Sequence, residues 1–152
     1  MFLGRRLDSG GALAALAVVL FCIPVAVHGF RNWSSADRVD KYAPTPGLLN
    51  ALREKVPKRA VVFSDLETSY RISAYLPVYV AAAPPAHVAD TPANDPARRR
   101  LDVIHYFLTA NPKFLDRYDA DWLVVDRSRF DIRPTWPLAW EDSRFALYHR
   151  RA

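Results

Sequence analysis

Cysteine and glycine are scarce in this 152-residue chain, and each shortage excludes a class of function. The single cysteine, Cys22, lies in an apolar segment, so there is no disulfide framework and no cysteine-based metal site. Of the five glycines, only Gly47 lies beyond residue 30. Loops such as Gly-x-Gly-x-x-Gly, which bring backbone close to phosphate, need several glycines. The sequence therefore argues against a nucleotide-binding Rossmann or P-loop domain.

A strong excess of one charge is also missing. The formal net charge is +5, and residues 45–152 hold sixteen basic and thirteen acidic groups with the two signs interspersed. No stripe combines basic and aromatic side chains in the way that nucleic-acid surfaces do. With 51% hydrophobic and 24% charged residues, the composition is that of a globular protein. We expect a solvated, arginine-rich surface and no nucleic-acid partner.

What the chain does have is a long uncharged run near its N-terminus. Residues 9–30 contain no Asp, Glu, Lys or Arg. About 20 apolar residues suffice to cross the hydrocarbon core of a bilayer, and this run lacks the polar stripe of a soluble helix. We predict a retained transmembrane anchor over residues 1–30. A cleaved signal peptide remains the alternative, since Arg5 and Arg6 supply a basic start, although the cleavage candidate at residues 27–29 is poor.

The remainder divides into a polar linker over residues 31–46, which ends in two prolines, and an extracytoplasmic domain over residues 47–152. Apolar periodicity and breaker residues predict an alternation of helices and strands in the domain. Such alternation indicates an α/β fold, here a small, mostly parallel sheet of three or four strands flanked by helices. The last strand is expected at the sheet edge, antiparallel, and residues 127–139 are expected to form a loop. The predicted helices are 46–56, 68–76, 96–110 and 112–118, and the predicted strands are 60–63, 78–83, 121–126 and 145–149.

Polar side chains follow the predicted strands, where each strand ends. Functional residues of open α/β sheets gather at the carboxyl ends of the strands. Polar residues Asp126 and Arg127 also stand at the carboxyl end of the predicted strand at 121–126. We predict a ligand-binding site from the side chains that follow the first two strands, namely Asp65, Glu67, Tyr70, His87, Asp90, Asn94 and Arg98.

Each part of that site has a structural alternative. Residues 64–68 begin a helix, so Asp65 and its neighbours are equally suited to cap it. His87 and Asp90 lie in a loop after two prolines and suit a metal, a ligand, or loop-fixing hydrogen bonds. Two such residues do not make a metal site, so we expect no metal and no cofactor. The arginines at 98–100 suit phosphate or lipid headgroups, or simply a solvated helix face.

Several of these stretches together resemble a known arrangement. The chain is similar to the C-terminal end of bacterial polytopic membrane glycosyltransferases of the GT-C class, which use polyprenyl-phosphate sugars. In those enzymes the last transmembrane helix is often followed by a small extracytoplasmic α/β domain. The resemblance is carried by the apolar run at 11–27 and by residues 42–49, 61–70, 77–80, 86–91 and 120–126.

The resemblance implies a single-pass protein of the cell membrane whose folded domain lies outside the cytoplasm. Its implied partners are membrane lipid and either a polytopic glycosyltransferase or a polyprenyl-phosphate sugar. Those enzymes hold their catalytic acids in a loop of a many-helix membrane domain, so no catalytic residue carries over. We therefore expect an accessory domain that binds an acceptor, a sugar or a lipid-linked headgroup without catalysing transfer alone. The alternatives are an interaction module for a polytopic membrane protein and a small envelope hydrolase using His87 with Asp65 or Asp90.

Overall fold

The computed structural model describes residues 9–32 and 40–150. The chain divides into two compact units, Met1–Val39 and Asp40–Ala152. Residues 33–39 of the linker predicted at 31–46 lie outside the described residues. At its two ends the prediction is too wide, because residues 31 and 32 continue the first helix and Pro46 already begins the next one.

The first unit contains one long helix, α1, which runs from Ser9 to Asn32. Its segment Gly10–Arg31 has 22 residues, none of them buried, and is long and apolar enough to cross a membrane. At 1.5 Å per residue such a helix reaches about 33 Å, which matches the hydrocarbon core of a bilayer. The apolar helix is thus confirmed. A signal sequence near the N-terminus has the same length and composition, so the choice between anchor and cleaved signal stays a prediction.

The second unit alternates helices and strands, which confirms the α/β class. Local sequence explains the boundaries: Thr45 Oγ1 accepts a hydrogen bond from the amide of Leu48 (3.1 Å) and caps the first helix, and Pro46 occupies its first turn. A single 3₁₀ turn, Pro85–His87, lies in the loop after the second strand. The helices are α2 (Pro46–Lys55), α3 (Leu66–Tyr75), α4 (Pro96–Thr109) and α5 (Lys113–Arg117), and the strands are β1 (Val61–Phe63), β2 (Tyr79–Val80), β3 (Trp122–Asp126), β4 (Leu138–Glu141) and β5 (Phe145–His149).

The sheet has five strands in the order β2-β1-β3-β5-β4. The β2-β1-β3 part is parallel, whereas β5 is antiparallel to β3 and β4 is antiparallel to β5. The sheet is therefore mixed, and the prediction of a mostly parallel sheet with three or four strands is wrong in the number of strands and in the share of parallel pairings. The antiparallel direction predicted for the last strand is confirmed. The prediction of a strand at 145–149 is right, but it is not at the edge. Residues 138–141, expected to be loop, form β4 and cover it.

Helices cover both faces of the sheet. On one face α2 and α3 pack Leu48, Leu52 and Ile72, all fully buried, against Val62 and Val124. Burying an aliphatic side chain of this size stabilises the fold by roughly 1.5–3 kcal/mol. On the other face α4 and α5 pack against the opposite side of the same strands through a second core cluster, which includes Phe63, Val103, Tyr106, Phe107, Phe114, Leu115, Leu123 and Val125. The three inner strands β1, β3 and β5 are thus largely buried, whereas the edge strands β2 and β4 are partly exposed.

Candidate functional site

A groove lies beside the carboxyl end of β1. It is formed by the start of α3, the second half of α4 and the loop after β3, and it encloses about 260 Å³. One end is polar, with Asp65, Glu67 and Arg129, and the rest is apolar. A concave, mainly apolar site with a few convergent polar groups is the usual form of a small-molecule site. The apolar lining consists of Leu66, Val103, Ile104, Phe107, Leu108 and Phe130.

Asp65 is held at the polar end by the turn between β1 and α3. Its Oδ1 accepts hydrogen bonds from the amides of Glu67 (3.1 Å) and Thr68 (3.2 Å), so it is the N-cap of α3. An N-cap of this type stabilises a helix by about 1 kcal/mol. Ser64 precedes it and donates from Oγ to the carbonyl of Val124 (2.9 Å), which ties the turn to β3. The capping role expected for this segment is confirmed for Asp65.

The same carboxylate also forms an ion pair, and it leaves one oxygen over. Nη1 of Arg129 lies 2.9 Å from Asp65 Oδ1, and the Asp65 side chain is only 4% exposed. Oδ2 is buried and accepts no hydrogen bond from the described residues. An unsatisfied buried acceptor costs roughly 1–3 kcal/mol, and more when it is charged. Asp65, which lines the groove, therefore has a buried carboxylate oxygen that would gain from a hydrogen-bond donor.

The apolar wall is preorganised by aromatic packing. The rings of Phe107 and Phe130 lie 4.3 Å apart between centroids, and Phe107 also stacks on Phe63 at 6.4 Å. Two aliphatic side chains of α4 complete the wall but remain open to solvent, Ile104 at 38% and Leu108 at 75% exposure. The apolar wall thus joins a buried aromatic base to an exposed aliphatic rim.

A network of alternating charges surrounds the polar end. Arg71 donates to Glu67 Oε2 (2.8 Å) and to Asp40 Oδ2 (2.8 Å). The guanidinium groups of Arg71 and Arg129 lie 5.4 and 5.0 Å from the ring centre of Tyr42. The hydrogen bond from Arg71 holds the pKa of Asp40 below its usual value. Glu67 is thereby held by a cation outside the groove, whereas Asp65 Oδ2 is not.

Asp126, at the end of β3, is as buried as Asp65 but fully partnered. Its Oδ2 accepts from Nη2 (2.7 Å) and Nε (3.1 Å) of Arg144, and its Oδ1 accepts from the amide and hydroxyl of Ser128. Burial alone would raise the pKa of Asp126, but these hydrogen bonds outweigh burial and lower it. Its neighbour Arg127 pairs with Glu141 at 2.6 Å. This strand end thus fastens the loop after β3 and offers no free acceptor.

Tyr70 and His87, both expected in the site, are brought together away from that acceptor. Their rings stack at 4.6 Å with an angle of 27°, and Tyr70 is 40% exposed. In the part of the chain that the structure describes, no carboxylate accepts a hydrogen bond from His87. The arrangement gives the histidine an aromatic partner.

Asn94 and Arg98 line a second, more polar cleft of about 220 Å³ at the start of α4. Asn94 Nδ2 donates to the carbonyl of Ala89 (3.1 Å), and Arg99 donates to the carbonyls of Asn94 and Ala81. These bonds hold the loop before α4, which leaves Arg98 as an exposed cation at the cleft. Asp90 is exposed.

The structure thus distributes the seven predicted residues over different places. Asp65 and Glu67 line the groove, Tyr70 stacks on His87, Asn94 and Arg98 line the second cleft, and Asp90 stands apart. Sequence reasoning missed Arg129 and Phe130, three and four residues beyond the end of β3. Their position just past a strand end, at the edge where the groove lies, is the signal that was available.

Within residues 9–32 and 40–150, no group of three or more His, Cys, Asp or Glu side chains is arranged to hold a metal ion. Comparison of the sequence with protein-family models and with curated proteins gives no match.

Proposed function

We propose that this chain is a membrane-anchored accessory domain of glycosyltransferase type, which binds a hydroxyl-bearing ligand, an acceptor or sugar, in the groove between α3 and α4. The observation that carries the proposal is the unpartnered Oδ2 of Asp65 at the polar end of a groove whose remaining wall is apolar. The domain supplies binding and orientation, and the transfer step belongs to a polytopic partner.

The chemistry of the groove suits a sugar. A pyranose has hydroxyl donors along its edge and C–H groups on its faces, so it needs acceptors on one side and an apolar surface on another. Asp65 Oδ2 is an acceptor that a hydroxyl satisfies without disturbing the bonds to Oδ1. The tilted rings of Phe107 and Phe130 offer the apolar surface. One donated hydrogen bond to a charged acceptor is worth about 1.5–3 kcal/mol, enough to orient a weak ligand.

The membrane part of the proposal is supported by α1 and by the resemblance to GT-C glycosyltransferases. An anchor would confine the domain to the surface where lipid-linked sugars are used. Glu67, the other carboxylate that lines the groove, is held by Arg71. Acid and base for glycosyl transfer would therefore come from the partner, as the resemblance implies.

The test uses the full chain in lipid nanodiscs and p-nitrophenyl β-D-glucoside as the probe. Saturation-transfer NMR should show transfer to the sugar and to the aryl protons of the glycoside. Asp65→Asn should reduce binding about tenfold, because a neutral amide replaces the charged acceptor. Asp116→Asn, an exposed carboxylate paired with Arg150 far along the chain, is the matched control and should bind as the wild type does.

Two outcomes would contradict the proposal. One is equal binding of the glycoside to the Asp65→Asn and Asp116→Asn variants. The other is no saturable binding to the wild-type chain of either p-nitrophenyl β-D-glucoside or its galactose and N-acetylglucosamine counterparts.

A further inference from the structure

The outward face of α4 carries three exposed aliphatic side chains, Leu101, Ile104 and Leu108, which we call the crest. Leu101 and Leu108 lie two turns apart and therefore point the same way, and they are 54% and 75% exposed. Ile104 lies beside them at 38%. In the described part of the unit that begins at Asp40, no other helix exposes three large aliphatic side chains in this way. A soluble domain has no structural need for such a crest.

The flanks of the crest are cationic. Arg98 and Arg100 are exposed on the first two turns of α4. The only acidic residue of α4, Asp102, is turned inward, where it accepts hydrogen bonds from Arg117 (2.7 Å) and from the hydroxyl of Tyr118 (2.6 Å). No carboxylate of α4 therefore reaches its outer face.

The helix is already rigid before it meets any partner. Its inner face buries Val103, Tyr106 and Phe107, and the ring of Tyr106 meets Phe63 edge-on at 5.0 Å. Asp95 caps the first turn by accepting from the amide of Arg98. The crest and its arginines are thus presented without the ordering cost that a flexible segment would carry.

We propose that α4 docks the domain on an anionic phospholipid surface. The helix lies in the plane of the interface, with Leu101 and Leu108 at the boundary between headgroups and acyl chains and with Arg98 and Arg100 against lipid phosphates. A polar helix face that carries arginine beside a leucine crest is the composition of interfacial helices. Arginine forks match phosphate oxygens, and an anionic leaflet concentrates such cations.

Lipid is favoured over other occupants because of the tether. Thirteen residues separate the end of α1 from the start of α2, so they span at most about 45 Å when fully extended. If α1 is a retained anchor, a part of the proposed function on which this inference rests, the crest meets lipid at a high effective concentration. A small apolar crest then suffices, although it would bind weakly from solution. The groove shares Ile104 and Leu108 with the crest, so docking would place the groove opening at the lipid surface.

The test is a depth measurement by spin labelling in the full chain. In a Cys22→Ser background, one label is placed at the crest through Leu101→Cys, and a matched label is placed on the exposed face of α2 through Glu54→Cys. Both chains are reconstituted in nanodiscs of phosphatidylglycerol and, separately, of phosphatidylcholine. In phosphatidylglycerol the label at 101 should become several-fold more accessible to oxygen than to a water-soluble nickel complex, while the label at 54 stays aqueous.

Arg98→Glu together with Arg100→Glu should return the label at 101 to aqueous accessibility. An aqueous label at 101 in phosphatidylglycerol would overturn the proposal, as would protection that appears only when a polytopic protein is added, which would make the occupant a protein. Asp65→Asn separates the two proposals, because it should weaken glycoside binding about tenfold, the expected loss of a charged acceptor, and leave the depth of position 101 unchanged. Removal of α1 as a signal in cells would disprove the anchor. The depth measurement on the recombinant full chain would still test lipid docking of α4.

Discussion

Asp65 and Asp126 are both buried aspartates at the carboxyl ends of parallel strands, and each pairs with an arginine. Asp126 has partners on both oxygens, from Arg144 on one and Ser128 on the other. Asp65 lines a groove and has all of its partners on Oδ1, whereas its Oδ2 is buried without a hydrogen-bond partner among the described residues. Both oxygens of Asp126 are thus bonded within the fold, whereas Asp65 has one oxygen that could accept a hydrogen bond from a ligand. The difference teaches that position at a strand end does not by itself mark a functional residue.

Neutralising each carboxylate in turn should give the largest difference between the two positions. Asp126→Asn should lower the free energy of unfolding by about 3 kcal/mol, because it leaves Arg144 without its buried partner. Asp65→Asn should cost only about 1 kcal/mol, since Asn is as good an N-cap and the charge that it removes has a buried oxygen without a partner. Urea unfolding followed by tryptophan fluorescence measures both.

Asp116→Asn is the control for this pair, because its exposed ion pair with Arg150 should be worth less than about 0.5 kcal/mol. Equal losses of unfolding free energy for Asp65→Asn and Asp126→Asn would show that the two carboxylates stabilise the fold equally. That result would contradict the proposed difference between them.

Lowering the pH should remove the contribution of Asp126 to the free energy of unfolding. The pKa of Asp126 is lower in the folded state than the ordinary value of about 3.9, because hydrogen bonds from Arg144 and Ser128 outweigh the effect of burial. The stabilisation is therefore complete well above that unfolded value and is lost as pH falls through it and then through the lower folded pKa. The difference in unfolding free energy between the wild type and Asp126→Asn should shrink below about pH 5. A difference that stays constant down to pH 3 would contradict the assignment.

A third aspartate, Asp102, gives a smaller effect that sharpens the same contrast. Burial and the hydrogen bond to Asp102 raise the pKa of Tyr118 to about 12. Tyr118→Phe should destabilise the domain by about 1 kcal/mol, because Arg117 continues to satisfy Asp102. Thermal unfolding measures the cost, and alkaline difference spectroscopy should show one late-titrating tyrosine fewer. No change in either measurement would mean that the hydroxyl is not bonded to Asp102.

The smallest stability effect is expected at the groove rim. Leu108→Ala should change the free energy of unfolding by less than about 0.5 kcal/mol, because Leu108 is 75% exposed, and yet weaken binding of the aryl glycoside. Leu138→Ala, at 50% exposure on β4, is the matched control and should leave binding unchanged. Equal binding by the two variants would remove the α4 side chains from the site.

Local patterns in the sequence were enough for most of the elements. Cap residues and apolar spacing place α2 and α4 within a residue of their observed ends, and the run of Trp122–Asp126 is the strand that its composition predicts. Strand β4 escaped because Pro134 and Pro137 precede it and its four residues carry little pattern of their own. What makes it a strand is pairing with β5, with Trp140 opposite Leu147. Strand order escaped for the same reason, since it depends on contacts between distant segments.

The site was predictable only where it depends on a strand end. Asp65 and Glu67 were placed at the carboxyl edge correctly, because that follows from β1 alone. The groove also depends on the path of α4 across the sheet and on the conformation of the loop after β3. Neither can be predicted from a local sequence pattern. For that reason Arg129 and Phe130 were missed, while Asp90, which lies in a long loop, was expected in a site where the structure does not place it.

The claim on which the account depends most is that Asp65 Oδ2 accepts a hydrogen bond from a bound ligand. A crystal structure of the full chain grown with p-nitrophenyl β-D-glucoside tests it directly. The account predicts a sugar hydroxyl oxygen about 2.5–3.0 Å from Oδ2, with the aryl group against Phe130. A glycoside bound elsewhere, or an Oδ2 that contacts only water while the groove stays empty at saturating glycoside, would contradict it.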